Sequence, residues 1–348
     1  MKKKHINILL TSSGRRGYLV NYFKKALNGR GLVHAGNSAP GAPAFYYADK
    51  SVVTPLIYDE NYIPFLLDYC KKNAVKVIIP LFDIDLKILS KKKDLFAHHG
   101  IVLIVSEETV INICNDKWET FQFCSRNGFL CPRTYQSEKE VLAEIESKTI
   151  SFPIIVKPRW GMGSIAIYET CSEKELSFFA AKTRKEIFAT YLKYESAEDV
   201  DDCVIFQEKI QGEEYGLDVI HDLSGNHVNT IVRKKIAMRS GETDSAMVVK
   251  HLELEQIGTR LGNALGHIGN LDMDVFTSGD SIYVLDLNAR FGGGYPFSHC
   301  AGVDLPKAII HWVLEEPISD ELIVKHYDHI MQKDIQIIDM LLGQHGGY

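Results

Sequence analysis

Residues 6–10 form an apolar run that stops at the turn Ser12-Ser13-Gly14, and residues 18–27 follow with apolar side chains at helical spacing. The alternation continues with a strand pattern over 32–35, a helix over 63–71, and strands over 75–80 and 101–105. Strands alternating with helices over short connections predict a parallel sheet covered on both faces. Ligands of such sheets bind at the carboxyl ends of the strands, which directs attention to 11–16, 36–38 and 81–85. Beyond residue 106 the pattern changes. A helical stretch runs to Asn127 and breaks at Gly128 and Cys131-Pro132. A helix over 138–147 leads to a strand over 154–158, a Gly-rich turn over 160–164 and a second strand over 165–168. The charged segment 172–194 reads as helix and 203–208 as strand. Segments 214–221 and 228–235 pair around the turn 222–226. A helix over 252–265 precedes a hairpin, and 305–314 is an amphipathic closing helix. The fold class is therefore α/β followed by α+β, with units expected at 1–106, 107–200 and 201–348.

The second strand of that hairpin carries the most informative chemistry. In Val284-Leu285-Asp286-Leu287-Asn288-Ala289-Arg290 the side-chain period of two puts Asp286, Asn288 and Arg290 on one face, leaving Val284, Leu285 and Leu287 for packing. The first strand delivers Asp274 as a second carboxylate close to Asp286. Hard cations such as Mg²⁺ take oxygen ligands from one or two carboxylates and complete their shell with water and phosphates. An adjacent arginine suits a phosphate or a developing anion.

Composition narrows the classes. A net charge of −6, with no basic stripe among aromatics, argues against a nucleic-acid binder. The run over 6–10, behind Lys2-Lys3-Lys4, is too brief for a signal peptide or membrane span. Seven scattered cysteines without a Cys-x-x-Cys pair argue against a zinc site or a disulfide framework and point to a reducing cytoplasm.

Other candidates stand beside plainer readings. Lys157 ends a buried-type strand just before Gly161-Met162-Gly163-Ser164, where glycines let the backbone approach a polyphosphate; an ordinary hairpin with a surface lysine is the alternative. No Gly-x-x-x-x-Gly-Lys-Ser/Thr P-loop exists. Glu208, Lys209 and Ile210, with Glu214 after them, could line a purine pocket, or Glu213 and Glu214 are solvated turn residues. Lys117 is a second phosphate-facing lysine or a surface helix lysine. Arg233, Lys234, Lys235 and Arg239 bind a substrate anion or decorate an edge strand. The loop carrying Arg15 and Arg16 precedes a helix, where an anion docks on free amides. Asp83 and Asp85 face the same crevice or cap the next helix, and His299 lies near the reacting centre or packs elsewhere.

In this order and spacing, Lys117, Lys157 with its Gly-rich loop, Gln207-Glu208-Lys209-Ile210, Glu214, Asp274 and Asp286-x-Asn288-x-Arg290 resemble the ATP-grasp enzymes, nearest the carbamoyl-phosphate synthase large-subunit-like branch. Residues 11–19 and Asp116-Lys117 are similar to that branch's preceding Rossmann-like domain, and the resemblance covers nearly the whole chain. It implies an N-terminal Rossmann-like pre-ATP-grasp domain (1–106), a small lid subdomain with linking helices (107–200) and a C-terminal subdomain with the metal site (201–348). It further implies that Lys117 and Lys157 hold the α- and β-phosphates of ATP under a mobile lid containing Gly161, Gly163 and Ser164. Glu208, Lys209 and Ile210 would form the adenine hinge, and Glu214 would hold the ribose. Asp274, Asp286 and Asn288 would bind Mg²⁺, with Mn²⁺ as a substitute. Arg290 and Lys157 would be catalytic, with Arg15, Arg16, Asp83, Arg233, Arg239 and His299 on the substrate side.

The implied activity is an ATP-dependent carboxylate–amine ligase working through an acyl phosphate and releasing ADP and phosphate. The alternatives are a phosphotransferase on the same site and a non-catalytic nucleotide-binding protein. Small-molecule acid and amine substrates are expected, with no nucleic acid or membrane partner, in a cytoplasmic protein for which a homodimer is the family default. Asp274 and Asp286 depart from the glutamates common in the family, and Asn37 stands where an aspartate is frequent. With a single unit of the synthase pattern and no glutaminase segment, carbamoyl phosphate synthesis is not expected.

Overall fold

The computed structural model describes residues 5–340; the Lys2–Lys4 tail lies outside the described residues. The N-terminal part comprises β1 (Asn7–Thr11), α1 (Gly17–Leu27), β2 (Val33–Asn37), β3 (Lys50–Val53), α2 (Tyr62–Lys72), β4 (Val75–Pro80), α3 (Asp83–Ser90), α4 (Lys93–His98) and β5 (Val102–Leu103). Its strands form a parallel sheet in the order β3-β2-β1-β4-β5. All of β1 is buried, which explains an apolar run without alternation. The chain winds outward from β1 to β3, then crosses back to β4. That reversal opens a crevice at the carboxyl ends of β1 and β4, where residues 12–16 and 81–83 lie. The first loop is tied down by Asp85, which accepts from Ser12 Oγ at 2.9 Å and Tyr62 Oη at 2.7 Å. Asn37 Oδ1 accepts from the Gly14 amide at 3.2 Å. Asp85 and Asn37 thus shape the loop.

The helical stretch expected to run unbroken to Asn127 is two helices, α5 (Glu108–Asn115) and α6 (Lys117–Arg126). Asp116 divides them: its backbone is extended, and its carboxylate accepts from the Trp118 and Glu119 amides at 2.9 and 3.3 Å. This N-cap satisfies orphan donors and turns Lys117 inward as the first helical residue. Next come β6 (Thr134–Tyr135), α7 (Glu138–Glu146), β7 (Ile154–Pro158), β8 (Tyr168–Thr170), α8 (Glu173–Ala189), α9 (Lys193–Ser196) and β9 (Val204–Glu208). The four strands form an antiparallel sheet, β6-β9-β7-β8. Because β9 belongs to it, the chain leaves this sheet after Glu208 rather than at residue 200. The strand expected over 165–168 starts later, since positive φ at Gly163, Ser164 and Ala166 keeps that segment out of a ladder.

The remaining elements are β10 (Glu213–His221), β11 (His227–Arg239), β12 (Glu242–Val249), α10 (Leu252–Leu265), β13 (Gly269–Ser278), β14 (Ser281–Asn288), α11 (Tyr295–Cys300), α12 (Leu305–Leu314) and β15 (Ile330–Gln332). They build an antiparallel sheet ordered β14-β13-β10-β11-β12-β15. Leu254, Leu261 and Leu265 of α10 join the apolar core that also contains Leu217 and Val219 of β10. No helix among the described residues is long and apolar enough to cross a membrane.

The β13–β14 pairing is irregular at one point. Asp274 faces Asp286 across the pair, yet Val275 faces Val284, so Leu285 is an extra residue. The bulge resets the alternation: Val284 is buried in the core, whereas Leu285 lines a cleft between the sheets. Leu285 is therefore not a packing residue, as strict period two had suggested.

Candidate active site

The three sheets meet around this cleft of about 490 Å³. The parallel sheet contributes residues 12–16 and 81–83, the small sheet Lys157 and residues 161–165, and the large sheet the acidic rows of β13 and β14. Register builds those rows: Asp274 stands opposite Asp286, and Asp272 opposite Asn288.

Each carboxylate here meets a cation. Lys117 Nζ lies 3.3 Å from Asp286 Oδ1 and donates to the Gly161 carbonyl at 2.8 Å. Lys235 Nζ bridges Asp274 at 2.7 Å and Glu214 at 2.5 Å. Burial works to lower the Lys235 pKa, but the charges of Asp274 and Glu214 prevail and hold it above its usual value. Arg290 spans the cleft to Asp83, with Nε and Nη2 each 3.1 Å from a carboxylate oxygen, and its Nη2 also donates to Asn288 Oδ1 at 3.2 Å. Such a forked pair fixes the plane of the guanidinium.

Beneath this surface Arg233 is 3% exposed and donates to Asp218 Oδ2 at 2.7 Å and Asp272 Oδ1 at 2.9 Å. Burial pushes Asp272 upward, and Arg233, Arg290 and Lys235 overcome it, so the carboxyl stays below the usual range. The Gly292-Gly293-Gly294 loop packs directly on this pair. A Cβ at Gly292 would fall 2.1 Å from Asp272 Cγ, and one at Gly294 2.6 Å from Arg233 Cζ, so no larger residue fits either position.

On the opposite wall, Lys157 is buried and donates to Gln207 Oε1 at 2.6 Å, while Gln207 Nε2 donates to Thr134 Oγ1 at 2.9 Å. Burial first, then the nearby Lys117 charge, lowers Lys157 to about 7. The Gly-rich loop spans the cleft: a Cβ at Gly241 would come 2.6 Å from Ser164 Oγ. The oxygen donors Asp274, Asp286 and Asn288 fit a hard divalent cation. Among the described residues no cluster of three or more His, Cys, Asp or Glu is disposed to hold a metal. The protein therefore offers a partial shell that a phosphate ligand and water would complete.

Fourteen of the residues that the resemblance assigns to the site line this cleft: Arg15, Arg16, Asp83, Lys117, Lys157, Gly161, Gly163, Ser164, Glu214, Arg233, Asp274, Asp286, Asn288 and Arg290. His299 does not; its ring stacks on Tyr22 at 3.6 Å, and Nδ1 faces Tyr295 Oη. Arg239 is 55% exposed and paired with Asp244, away from the cleft lining. Arg233 reaches the wall but is committed to its two aspartates. Glu208, Lys209 and Ile210 lie where β9 leads into β10, outside the lining; Glu208 accepts from the Arg133 amide and Lys209 pairs with Glu169. Sequence reasoning gave Lys235 only a place in the basic run and Asp272 no role, and it named Gln207 only within the motif at the end of β9. The first two were detectable, since Arg233 and Lys235, like Asp272 and Asp274, alternate on one strand face.

The ATP-grasp domain family matches residues 114–294, and the PylC-like N-terminal domain family matches residues 8–104. The carbamoyl phosphate synthase large chain of Pseudomonas aeruginosa is 23% identical over 222 residues, covering 60% of this chain and 19% of that protein. The chain spans about a fifth of the length of the curated relatives it matches. Among solved structures, a biotin carboxylase from Campylobacter jejuni in a β,γ-ATP complex superposes with a TM-score of 0.72 at 17% identity, covering 91% of this chain and 73% of that one. An L-amino acid ligase from Bacillus licheniformis gives 0.65 at 19% identity, covering 92% and 77%. These likenesses are of fold: a parallel-sheet domain followed by antiparallel sheets.

Arg233→Met should lower stability by about 3–5 kcal/mol, because Asp218 and Asp272 are left buried without their cation. Arg239→Ala should change it by no more than about 1 kcal/mol, as for other exposed pairs. Urea unfolding of both variants checks this, and equal midpoints would contradict the assignment of Arg233 to the framework.

Proposed function

Because the chain belongs to the ATP-grasp family, we propose that it is an ATP-dependent carboxylate–amine ligase, forming an amide through an acyl phosphate and releasing ADP and phosphate. The observation that carries this reading is the opposed pair Asp274 and Asp286, with Asn288 on the same strand and Arg290 just past its end, sharing one cleft with Lys117 and Lys157. A ligand that offers a divalent cation to the carboxylates and negative charge to the lysines is a nucleotide polyphosphate with its metal ion. In this reading Lys117 and Lys157 hold the α- and β-phosphates and residues 161–164 cover them. Glu208, Lys209 and Ile210, beyond the cleft lining where β9 leads into β10, would take the adenine and Glu214 the ribose. Asp274, Asp286 and Asn288 would hold Mg²⁺, which when bound neutralises phosphate charge.

A carboxylate is a poor electrophile, and phosphorylation converts one of its oxygens into a leaving group. The chain's own part is largely positioning and electrostatics. Arg290, oriented by Asp83 from the parallel-sheet domain, faces the carboxylate as it takes the γ-phosphoryl group. When the amine attacks the acyl carbon, the guanidinium stabilises the developing oxyanion. The Gly-rich loop excludes water that would otherwise hydrolyse the acyl phosphate. The biotin carboxylase and the L-amino acid ligase share this fold, and neither is named as a kinase, so the phosphotransferase alternative gains no support. A cytoplasmic homodimer acting on a small acid and a small amine completes the proposal.

The decisive assay follows nucleotide products across acid and amine pairs. ADP release that requires both partners is expected; ADP with the acid alone would mean a phosphotransferase, and AMP would overturn the acyl-phosphate route. Arg290→Ala should lower kcat by roughly 10²–10³-fold, the usual loss of one oxyanion donor, while isothermal titration still detects ATP binding. Normal turnover would remove Arg290 from the reaction.

Lys157, at about 7 in the free protein, must carry its proton to hold phosphate, and phosphate then keeps it there. ATP affinity should therefore be highest below pH 7 and weaken by up to about tenfold per unit above it. Titrations at pH 6.5 and 8.5 read this directly, with Lys157→Arg flattening the profile. Equal affinities in the wild type would argue against a phosphate contact by Lys157.

A further inference from the structure

The carboxylates lining the cleft all face cations already on the protein, but the converse is not true. Arg16, at the end of the loop after β1, has no ion pair among the described residues. Its Nη1 donates to the Phe291 carbonyl at 2.7 Å, and Arg290 Nη1 approaches the same oxygen at 3.4 Å. Two guanidinium groups therefore converge on one carbonyl, their separation limited to those two distances laid end to end. Arg290 is neutralised by Asp83 on two bonds, with Asp272 behind it. Arg16 is not, and burial together with the Arg290 charge destabilises its cation despite opposing contributions from Tyr18, Asp83 and Glu242.

The surroundings supply no acid that is free to pair with it. Glu242, also lining the cleft, is mostly exposed and engages Lys333 at 3.4 Å. Helix α1, eleven residues long, has no acidic residue in its first turn and no side-chain cap, so its amino end adds partial positive charge. Arg15, another lining residue, is exposed and likewise has no ion pair among the described residues. Along the row Asp286, Asn288, Arg290, Arg16 lies past the arginine, at the end away from Lys117 and the phosphate-holding wall. A half-buried guanidinium with no ion pair at that place suits an anion other than the nucleotide.

We propose that Arg16, with the 12–15 loop, anchors a second anionic group of the acid substrate. One carboxylate of that substrate lies at Arg290 to be activated, and a further carboxylate or phosphate lies at Arg16. This deepens the ligase reading and rests on it. Because the two guanidinium groups share a carbonyl, the substrate class is a compact dianion, its charged groups only a few bonds apart.

The test uses the full chain as wild type, Arg16→Gln and Arg16→Lys. Binding of succinate, inorganic phosphate and butyrate is measured by thermal shift with Mg²⁺ and a non-hydrolysable ATP analogue present. Turnover is measured as ADP release, with hydroxylamine as the amine and succinate, phosphonoacetate, L-aspartate or butyrate as the acid. We expect the dianions to be preferred over butyrate, with at least a tenfold rise in their KM in Arg16→Gln and recovery in Arg16→Lys. That recovery excludes misfolding as the cause. Succinate against phosphate, and succinate against phosphonoacetate, decide which anion is accepted. Butyrate matching succinate in the wild type, or an unchanged KM in Arg16→Gln, would overturn the proposal. Binding of succinate or phosphate lost in Arg16→Gln, with no ADP from any pair, would keep the anion site and sink the ligase reading. No binding of either anion to the wild type would sink the site itself.

Discussion

Arg233 sits where β10, β11 and β13 come together, with almost no access to water, and its two aspartates make that burial tolerable. An unpaired charge in such a place is strongly unfavourable, so the positions of Asp218 and Asp272 are fixed by it. From there the constraint spreads outward. Asp272 also faces Arg290, Arg290 reaches Asp83, and Asp83 belongs to the parallel-sheet domain. The glycine loop after β14 closes on the same group because nothing larger than hydrogen fits there. A chain of ion pairs thus runs from the floor of the large sheet to the opposite wall and sets the cleft's shape before any ligand arrives.

What could be read from the sequence followed from short-range periodicity. Helices α10 and α12 and strands β4 and β7 have the boundaries their apolar spacing gives, and the shared face of Asp286 and Asn288 is a direct result of period two, while Arg290 reaches the same cleft from just past the end of β14. The same rule, applied to β11, would have separated inward Arg233 and Lys235 from outward Lys234, which is 37% exposed. Taking the four basic residues as one run hid that division. The bulge at Leu285 was invisible, since a bulge depends on the partner strand. So was the pairing of Arg233 with Asp218 and Asp272, which are distant in the chain and meet only in the folded sheet. Strand β12 escaped because Thr243 and Ser245, both buried, break the apolar signature that marks a strand. Strand β15 is three residues at a sheet edge, too short to show any period. His299 looked close to the reacting centre through its neighbours in sequence, but helix α11 carries it round to stack on Tyr22.

The engagement of Lys117 with Asp286, and of Lys235 with Asp274 and Glu214, makes the cleft by itself an internal zwitterion. A divalent ion entering alone has to evict an ammonium group from each carboxylate, leaving those ammoniums stranded in poor solvent. A polyphosphate entering alone meets Lys117 already engaged by Asp286 and carboxylates that repel it. Under the proposed function the two would arrive as one package and exchange partners with the protein in a single swap: metal to carboxylate, phosphate to lysine. Loading would then be cooperative, because these carboxylates and ammonium groups already satisfy one another and neither component alone replaces both partners.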